Sequence, residues 1–315
     1  MPITSSGQAT RTPYTGGRFT LELDDKQPVG FVTSIDGGHF KADGVGSTSG
    51  GDGPTTRYPG KPKYDDITVT VGMAMSPAFW RWVQATLDNK PERRNGALVG
   101  YDFNNKERTR RTFTRALISE IGFPALDGAS KSAAILTVKI SPEKLEYKDG
   151  DGATLRYDQA QNEVAKQKMW LTSNFRFALD RFSGDTSLRN AKIEAFTVKQ
   201  NIIANPVGSE RETRKEAGRV ELPTLQVTFP ESQMGKWMQW FDETVVQGVP
   251  KNTTGHLTYY ASDNEQTELM RLDFDGVGLT SLDVEKYEAA KESIAKVKAT
   301  LYFEGLKLNA GKGNA

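Results

Sequence analysis

Only two histidines occur among the 315 residues, His39 and His256, and there is no cysteine. Lack of cysteine removes thiolate metal sites, a disulfide framework and a thiol nucleophile together. A Ser-His-Asp triad or a zinc site would have to use one of the two histidines. His39 follows Gly37-Gly38 and His256 stands near the start of a strand pattern, and neither has partners at ligand spacing. Both read as surface or hydrogen-bonded histidines. Asp149-Gly150-Asp151-Gly152 resembles the start of a calcium loop, but the twelfth position, which must supply a bidentate glutamate, is Ala160. The glycine-rich run from Gly44 to Gly53 has neither the Lys-Ser/Thr end of a P-loop nor GxGxxG spacing. Carboxylate chemistry would have to sit near Asp263 and Asp273. The basic stretches Arg93-Arg94 and Arg108-Thr109-Arg110-Arg111 are the places that could touch a nucleic-acid backbone. Lys and Arg (41) balance Asp and Glu (40), so no global field draws the chain to nucleic acid or membrane. The expectation is no catalytic residue, no metal, no cofactor and no enzyme.

The tryptophans carry a different signal. Trp80, Trp82, Trp237 and Trp240 are four of the five in the chain, and they fall in two stretches that resemble each other. An alternating strand, Ile67-Thr68-Val69-Thr70-Val71, is followed by Ser76-Pro77 and then Phe79, Trp80, Trp82 and Val83. A second, Leu225-Gln226-Val227-Thr228-Phe229, is followed by Ser232, Trp237, Met238, Trp240 and Phe241. Strand and second tryptophan are both displaced by 158 residues (Ile67 to Leu225, Trp82 to Trp240). Further blocks keep the order. Phe19 to Leu23 matches Phe175 to Leu179, Leu98 and Tyr101 match Leu257 and Tyr260, Leu126-Asp127 matches Leu282-Asp283, and Leu145 and Tyr147 match Leu306 and Leu308. Ordered self-similarity of this kind marks a tandem repeat.

Each repeat reads as antiparallel strands with one polar face, around a single helix. The first helix has Ser76 as N-cap and Pro77 in its first turn. Its apolar stripe is Phe79, Trp80, Val83 and Leu87, with Trp82 off-centre. The four tryptophans are expected to pack cores or interfaces, because large rings on an amphipathic helix cover an open sheet face. The fold class is mainly β (β+α), two tandem domains each with one packed helix. The boundaries are 1–16 (N-terminal arm), 17–148 (first domain), 149–168 (linker, turn-like and then polar) and 169–310 (second domain). Gly44 to Thr56 is expected to be a flexible loop. No run approaches the roughly 18–20 apolar residues of a membrane span, and the first residues lack the charged and apolar regions of a secretory signal.

Arg57-Tyr58-Pro59-Gly60-Lys61-Pro62-Lys63-Tyr64-Asp65-Asp66-Ile67-Thr68-Val69, then Trp80-Arg81-Trp82, Arg93-Arg94 and Leu126-Asp127, resemble in order the pattern of phage tail tube proteins and the inner tubes of contractile injection systems. The resemblance covers nearly all of 17–148; the second repeat lacks the Pro-Gly-x-x-Lys-Tyr run and the Arg-Arg pair. It implies tail-tube-like β-sandwich or barrel domains that join sheets edge to edge in six-fold rings, stacked into a tube. It implies homo-oligomers, three two-domain chains or six chains per ring, with sheath and baseplate or tail-end proteins as partners. DNA or an effector would pass the lumen, in a virion tail or injection-system particle assembled in the host cytoplasm, with no membrane insertion. A loop of Gly44, Gly46, Ser47, Gly50, Asp52, Gly53 and Arg57 would then stack rings. A tube-initiating or baseplate hub ring, and a tandem β-sandwich ligand-binding module, are the other readings.

Overall fold

The computed structural model describes residues 16–24, 27–48, 55–154, 170–182, 192–208, 211–262, 267–287 and 294–310. The linker residues 155–168, residue 169 and the arm residues 1–15 lie outside that set, as does Asp263. The first repeat contains β1 (Phe19–Leu23), β2 (Gln27–Pro28), β3 (Gly30–Gly37), β4 (Phe40–Thr48), β5 (Thr55–Tyr64), β6 (Ile67–Met75), α1 (Pro77–Leu87), β7 (Arg94–Tyr101), β8 (Glu107–Phe123), β9 (Leu126–Asp127), β10 (Leu136–Ser141) and β11 (Lys144–Asp149). The second contains β12 (Trp170–Leu179), β13 (Lys192–Ile193), β14 (Phe196–Asn205), β15 (Arg214–Glu221), β16 (Leu225–Pro230), α2 (Met234–Phe241), β17 (Thr253–Ala261), β18 (Glu268–Val284), β19 (Lys296–Tyr302) and β20 (Gly305–Ala310). The fold is mainly β, with a nearly closed barrel-like sheet and two helices, as the alternation of apolar and polar residues requires.

The two repeats are wired alike. In the first, β7 lies between β1 and β8, β10 between β6 and β8, β11 on β8, β3 on β6, and β4 on β5. In the second, β17 lies between β12 and β18, β19 between β16 and β18, β20 on β18, β13 on β16, and β14 on β15. Every pairing is antiparallel, and the strands of the two main sheets keep a core face by period-two alternation, whereas β4, β5 and β15 show no buried residue among those described. Leu145 and Leu306 oppose Phe113 and Phe274, and Leu21 and Phe177 oppose Leu98 and Leu257, as the repeat alignment expects. One block was misaligned. Leu282 opposes Ala299 as Ile121 opposes Val138, so Leu282 corresponds to Ile121 and not to Leu126. A two-residue Leu-Asp match carries no register of its own, whereas the ladder does.

Two glycines show how deep the match runs. A Cβ on Gly96 would fall 2.3 Å from the Glu22 carbonyl oxygen, and on Gly255 2.8 Å from that of Ala178. Both sit opposite a core phenylalanine at the same step of the ladder. The long strands β8 and β18 also share a left-handed residue, Arg115 (φ 52°) and Gly276 (φ 65°), at corresponding positions.

Helix α1 starts as expected: the Ser76 hydroxyl accepts from the Phe79 amide at 3.3 Å, and Pro77 opens the helix. Trp82 lies off the centre of the apolar stripe. It is fully buried and donates from Nε1 to the Glu92 carbonyl at 2.8 Å. Trp240 repeats this with Lys251 at 3.3 Å. A stripe of four underestimates a helix laid between a sheet and its own exit loop. Thr86 and Thr244, one turn on, each donate back to the carbonyl of that tryptophan. Helix α2 then runs into a π-helical turn, Asp242–Val246. Among the described residues no helix is long and apolar enough to cross a membrane.

Candidate assembly interface

The two repeats meet along a strand edge. One edge of β8 is occupied throughout by β10 and β11. The other edge is taken by β7 over the first part of the strand and by β14 of the second repeat over the last four residues, where Glu120, Ile121, Gly122 and Phe123 oppose Lys199, Val198, Thr197 and Phe196. The contact continues as Leu126 and Asp127 of β9 oppose Ile193 and Lys192 of β13. Phe123 and Phe196 stack with centroids 4.7 Å apart. Helix α1 closes the outer side of the same seam, its Gln84 Oε1 accepting from the Leu308 amide of β20 at 2.9 Å. Further along, the Ala134 amide donates to the Trp170 carbonyl at 2.9 Å, and the Thr172 amide to the Ser132 carbonyl at 3.0 Å.

A polar cluster locks the hairpin β14–β15 onto the first repeat. Lys215 donates from Nζ to the Ser141 hydroxyl at 2.8 Å and lies 3.5 Å from Asp66. Its amide donates to Glu143 at 3.1 Å, and its carbonyl accepts from Arg93 at 2.9 Å. Glu143 is buried and also accepts from Arg115 at 2.6 Å. A buried carboxylate requires such complete satisfaction, since an unpaired one costs several kcal/mol, roughly.

The seam joins two sheets by exchanging edge strands: β14 adds to the sheet of β3, β6, β10 and β8, and β9 adds to the sheet of β13, β16, β19 and β18. Their two faces differ. Ile67, Val69, Val138, Ile121, Val198, Val227 and Ala299 point into the core. The opposite face carries Thr68, Thr70, Thr137, Lys139, Glu120, Thr197, Lys199, Gln226, Lys298 and Asp283. Charges on it alternate and pair, as with Lys139 and Glu120 at 3.0 Å and Lys192 and Glu194 at 3.0 Å.

The residues singled out in the sequence distribute as follows. Gly44, Gly46 and Ser47 lie in β4 and Arg57 in β5, so much of the expected loop is a hairpin whose ladder reaches Thr48 opposite Thr55. Main-chain pairing asks only for an amide and a carbonyl, so glycine and serine do not prevent it. Arg57 is exposed, while Gly50, Asp52 and Gly53 lie outside the described residues. Trp80, Trp82, Trp237 and Trp240 are all buried in the cores, with Trp237 stacked on Phe229 at 4.7 Å. His39 is exposed, 3.4 Å from Asp65; Lys41 on the other side of that carboxylate holds its pKa below the ordinary value. His256 is partly covered, and burial lowers its pKa. Among the described residues no three His, Asp or Glu side chains converge on a metal-sized site.

Arg108 and Arg110 of the basic stretch are committed to ion pairs, while Arg111 donates to the Gly37 carbonyl at 3.3 Å. Arg110 binds Glu107 (2.7 Å) and Glu22 (2.7 Å), hydrogen bonds that raise its pKa, and Arg108 binds Asp102 at 2.8 Å. Arg94 binds Asp24 and Glu92. Arg93, read as a nucleic-acid candidate, belongs to the seam. Sequence reading missed Phe123, Phe196, Lys215 and Glu143. Their types are ordinary; only pairing across some 70 residues brings them together.

Residues 16–146 match the family of the T4-like virus tail tube protein gp19. The match spans the first repeat and bears out the tail tube resemblance read there. Solved structures similar to part of the chain include the sheath-tube complex of an extracellular contractile injection system, PVC, in its extended state (18% identity, 47% of this chain and 99% of that one, TM-score 0.38). The cap that terminates the anti-feeding prophage tube is another (21%, 48% and 100%, TM-score 0.40). Hcp1 from Flavobacterium johnsoniae is a third (10%, 44% and 95%, TM-score 0.25). Comparison with curated proteins returns no match. The second repeat lies outside that match and shares the strand wiring of the first.

Proposed function

We propose that this chain is a structural tube subunit made of two tail tube units, 17–148 and 169–310, joined by 149–168 and preceded by an arm, 1–16. Three chains complete a six-unit ring, and rings stack into the inner tube of a phage tail or contractile injection system. The observation that carries this reading is the strand exchange between the repeats, in which β14 extends the sheet of the first repeat and β9 extends that of the second. If the second repeat merely decorated a tube built by the first, its strands would not extend the same sheet. A closed ring of such sheets removes the strand edges that are an aggregation hazard in a single chain. The lumen is the polar face with Lys139, Glu120, Lys199 and Lys298. Its alternating charge neither grips nor repels a passing DNA or effector strongly. The outer side meets sheath, and the ends meet baseplate or tail-end proteins, in a particle assembled in the host cytoplasm. The ends of the hairpins β4–β5 and β14–β15 that lie beyond the seam are the stacking elements.

The role is structural and not enzymatic in this reading. A tandem ligand-binding module would present its aromatics at the surface, and the four helix tryptophans are buried instead. Negative-stain electron microscopy and native mass spectrometry of the purified chain test the proposal. The expected result is rings with three-fold composition, and longer tubes at higher concentration. Monodisperse monomers at high concentration would sink it.

A further inference from the structure

The seam inside the chain is a template for a second seam that the chain cannot make with itself. Along β18, β19 and β20 occupy one edge, and β17 covers the other only as far as Val277. Beyond that, Ser281, Leu282, Asp283 and Val284 have no strand on their outer side among the described residues. They correspond to Glu120, Ile121, Gly122 and Phe123, the four that receive β14. At the other end of the chain the counterpart of β14 is β4. The two hairpins share their register, including a bulge at the same step, Ala42/Gly44 and Gln200/Ile202. Lys199 opposite Glu221 thus matches Lys41 opposite Lys63, and Lys215 matches Arg57.

We infer that Ser281–Val284 of β18 pairs antiparallel with Gly38–Lys41 of a second copy of this chain, repeating the internal seam between chains. This builds on the tube reading above. The exposed apolar side chains fit it closely. Phe40 is 49% exposed where its counterpart Val198 is 2%, Val284 is 42% where Phe123 is 2%, and Tyr147 is 55% where Leu308 is 5%. Met238 is exposed at the site where Trp80 is buried, and Tyr287 where Leu126 is buried. Each of these residues is bare only because its partner lies on another chain. In the same pose, α2 covers β11 of the second copy, as α1 covers β20, and Asp242 takes the place of Gln84 as acceptor for the Tyr147 amide. Arg57 of the second copy enters beside Glu304, because Glu143, the acceptor for Lys215, corresponds to Glu304. Asn252, now bonded to Glu304 at 3.3 Å, stands where Arg93 does and can donate to the Arg57 carbonyl. Arg57 is thereby a contact within a ring and not between stacked rings. A seam that joins two different edges is heterologous and must close on itself to form a ring.

The cysteine-free chain permits a direct test. Gly122→Cys with Thr197→Cys marks the internal seam, and a Cβ at Gly122 meets its neighbours only at 3.5 Å or more. Under mild oxidation this pair should close within a single chain. His39→Cys with Asp283→Cys occupies the corresponding pair between chains. It should give a ladder on a non-reducing gel that ends at three chains, with the rings unchanged by electron microscopy. Rings without that cross-link, when the internal pair does close, would overturn the junction and leave the tube reading standing. Absence of any ring would overturn both. As a second readout, Arg57→Glu should raise the concentration for half-assembly about tenfold. Adding Glu304→Arg should restore it, and no rescue would count against this register.

Discussion

The two repeats share their ladder down to a bulge and a left-handed residue, yet they put different chemistry on it. In the first, Glu22 on β1 opposes Ala97 on β7, and the Glu22 carboxylate shares Arg110 with Glu107. In the second, the same two positions are Ala178 and His256. Large and small have changed places across one strand pair, so the volume between the strands is kept while the charge is not. Arg271 and Glu268 occupy the places of Arg110 and Glu107, but Arg271 bonds Asp273 at 2.6 Å on a more open surface. The fold thus depends on apolar alternation, which both repeats retain, and tolerates opposite solutions for the polar residues. Buried polar clusters then become local commitments that cannot be exchanged singly.

The strongest way to separate the repeats is to remove the two arginines. Glu22 and Glu107 are nearly buried beside Arg110. Arg110→Met strands both carboxylates and should cost about 3–5 kcal/mol. Arg271→Met removes a partly exposed pair and should cost less than about 1 kcal/mol. Urea unfolding of dispersed chains measures both. Equal losses would mean that the triad of the first repeat is not the commitment its burial indicates.

A second comparison sets the internal seam against its open counterpart. Phe123→Ala deletes a ring stacked on Phe196 and should destabilise the single chain by about 3 kcal/mol. Val284→Ala, at the corresponding position, should change dispersed-chain stability by less than about 0.5 kcal/mol while weakening assembly. If Val284→Ala proves costly to the isolated chain and neutral to assembly, the correspondence between the two edges is wrong.

Much of this was legible beforehand because it rests on local repetition. The offset from Ile67 to Leu225 and from Trp82 to Trp240 places strand and helix in both repeats, and the alternation of Val297, Ala299 and Leu301 gives the core face of β19. What stayed hidden depends on pairing between distant residues. Leu126-Asp127 and Leu282-Asp283 looked alike because short apolar-acidic steps are common, and only the ladder could show that they sit out of register. The glycine-serine run of β4 read as a loop because composition reports side chains, whereas a hairpin is held by the backbone. The seam was invisible for the same reason: Phe196 carries no mark until β8 lies beside it, nor Lys215 until Glu143 does.

The smallest expected effect comes from the exchange of Ala97 for His256. Burial lowers the His256 pKa, and the nearby Arg271 adds to this, while Asp180, Asp273 and Glu268 oppose it. The unfolded chain takes up a proton near about pH 6.5. The folded chain resists until lower pH, so the unfolded state binds more protons in between. Stability is therefore fully present above about pH 6.5 and falls as pH drops from there toward the folded pKa. The first repeat, with alanine at this site, has no such dependence there. His256→Gln should flatten that part of the curve, read as urea midpoints at pH 7.5 and at pH 5.5. If the variant loses as much between the two as the parent chain, the acid sensitivity lies elsewhere. The two repeats would then differ in packing at this pair but not in titration.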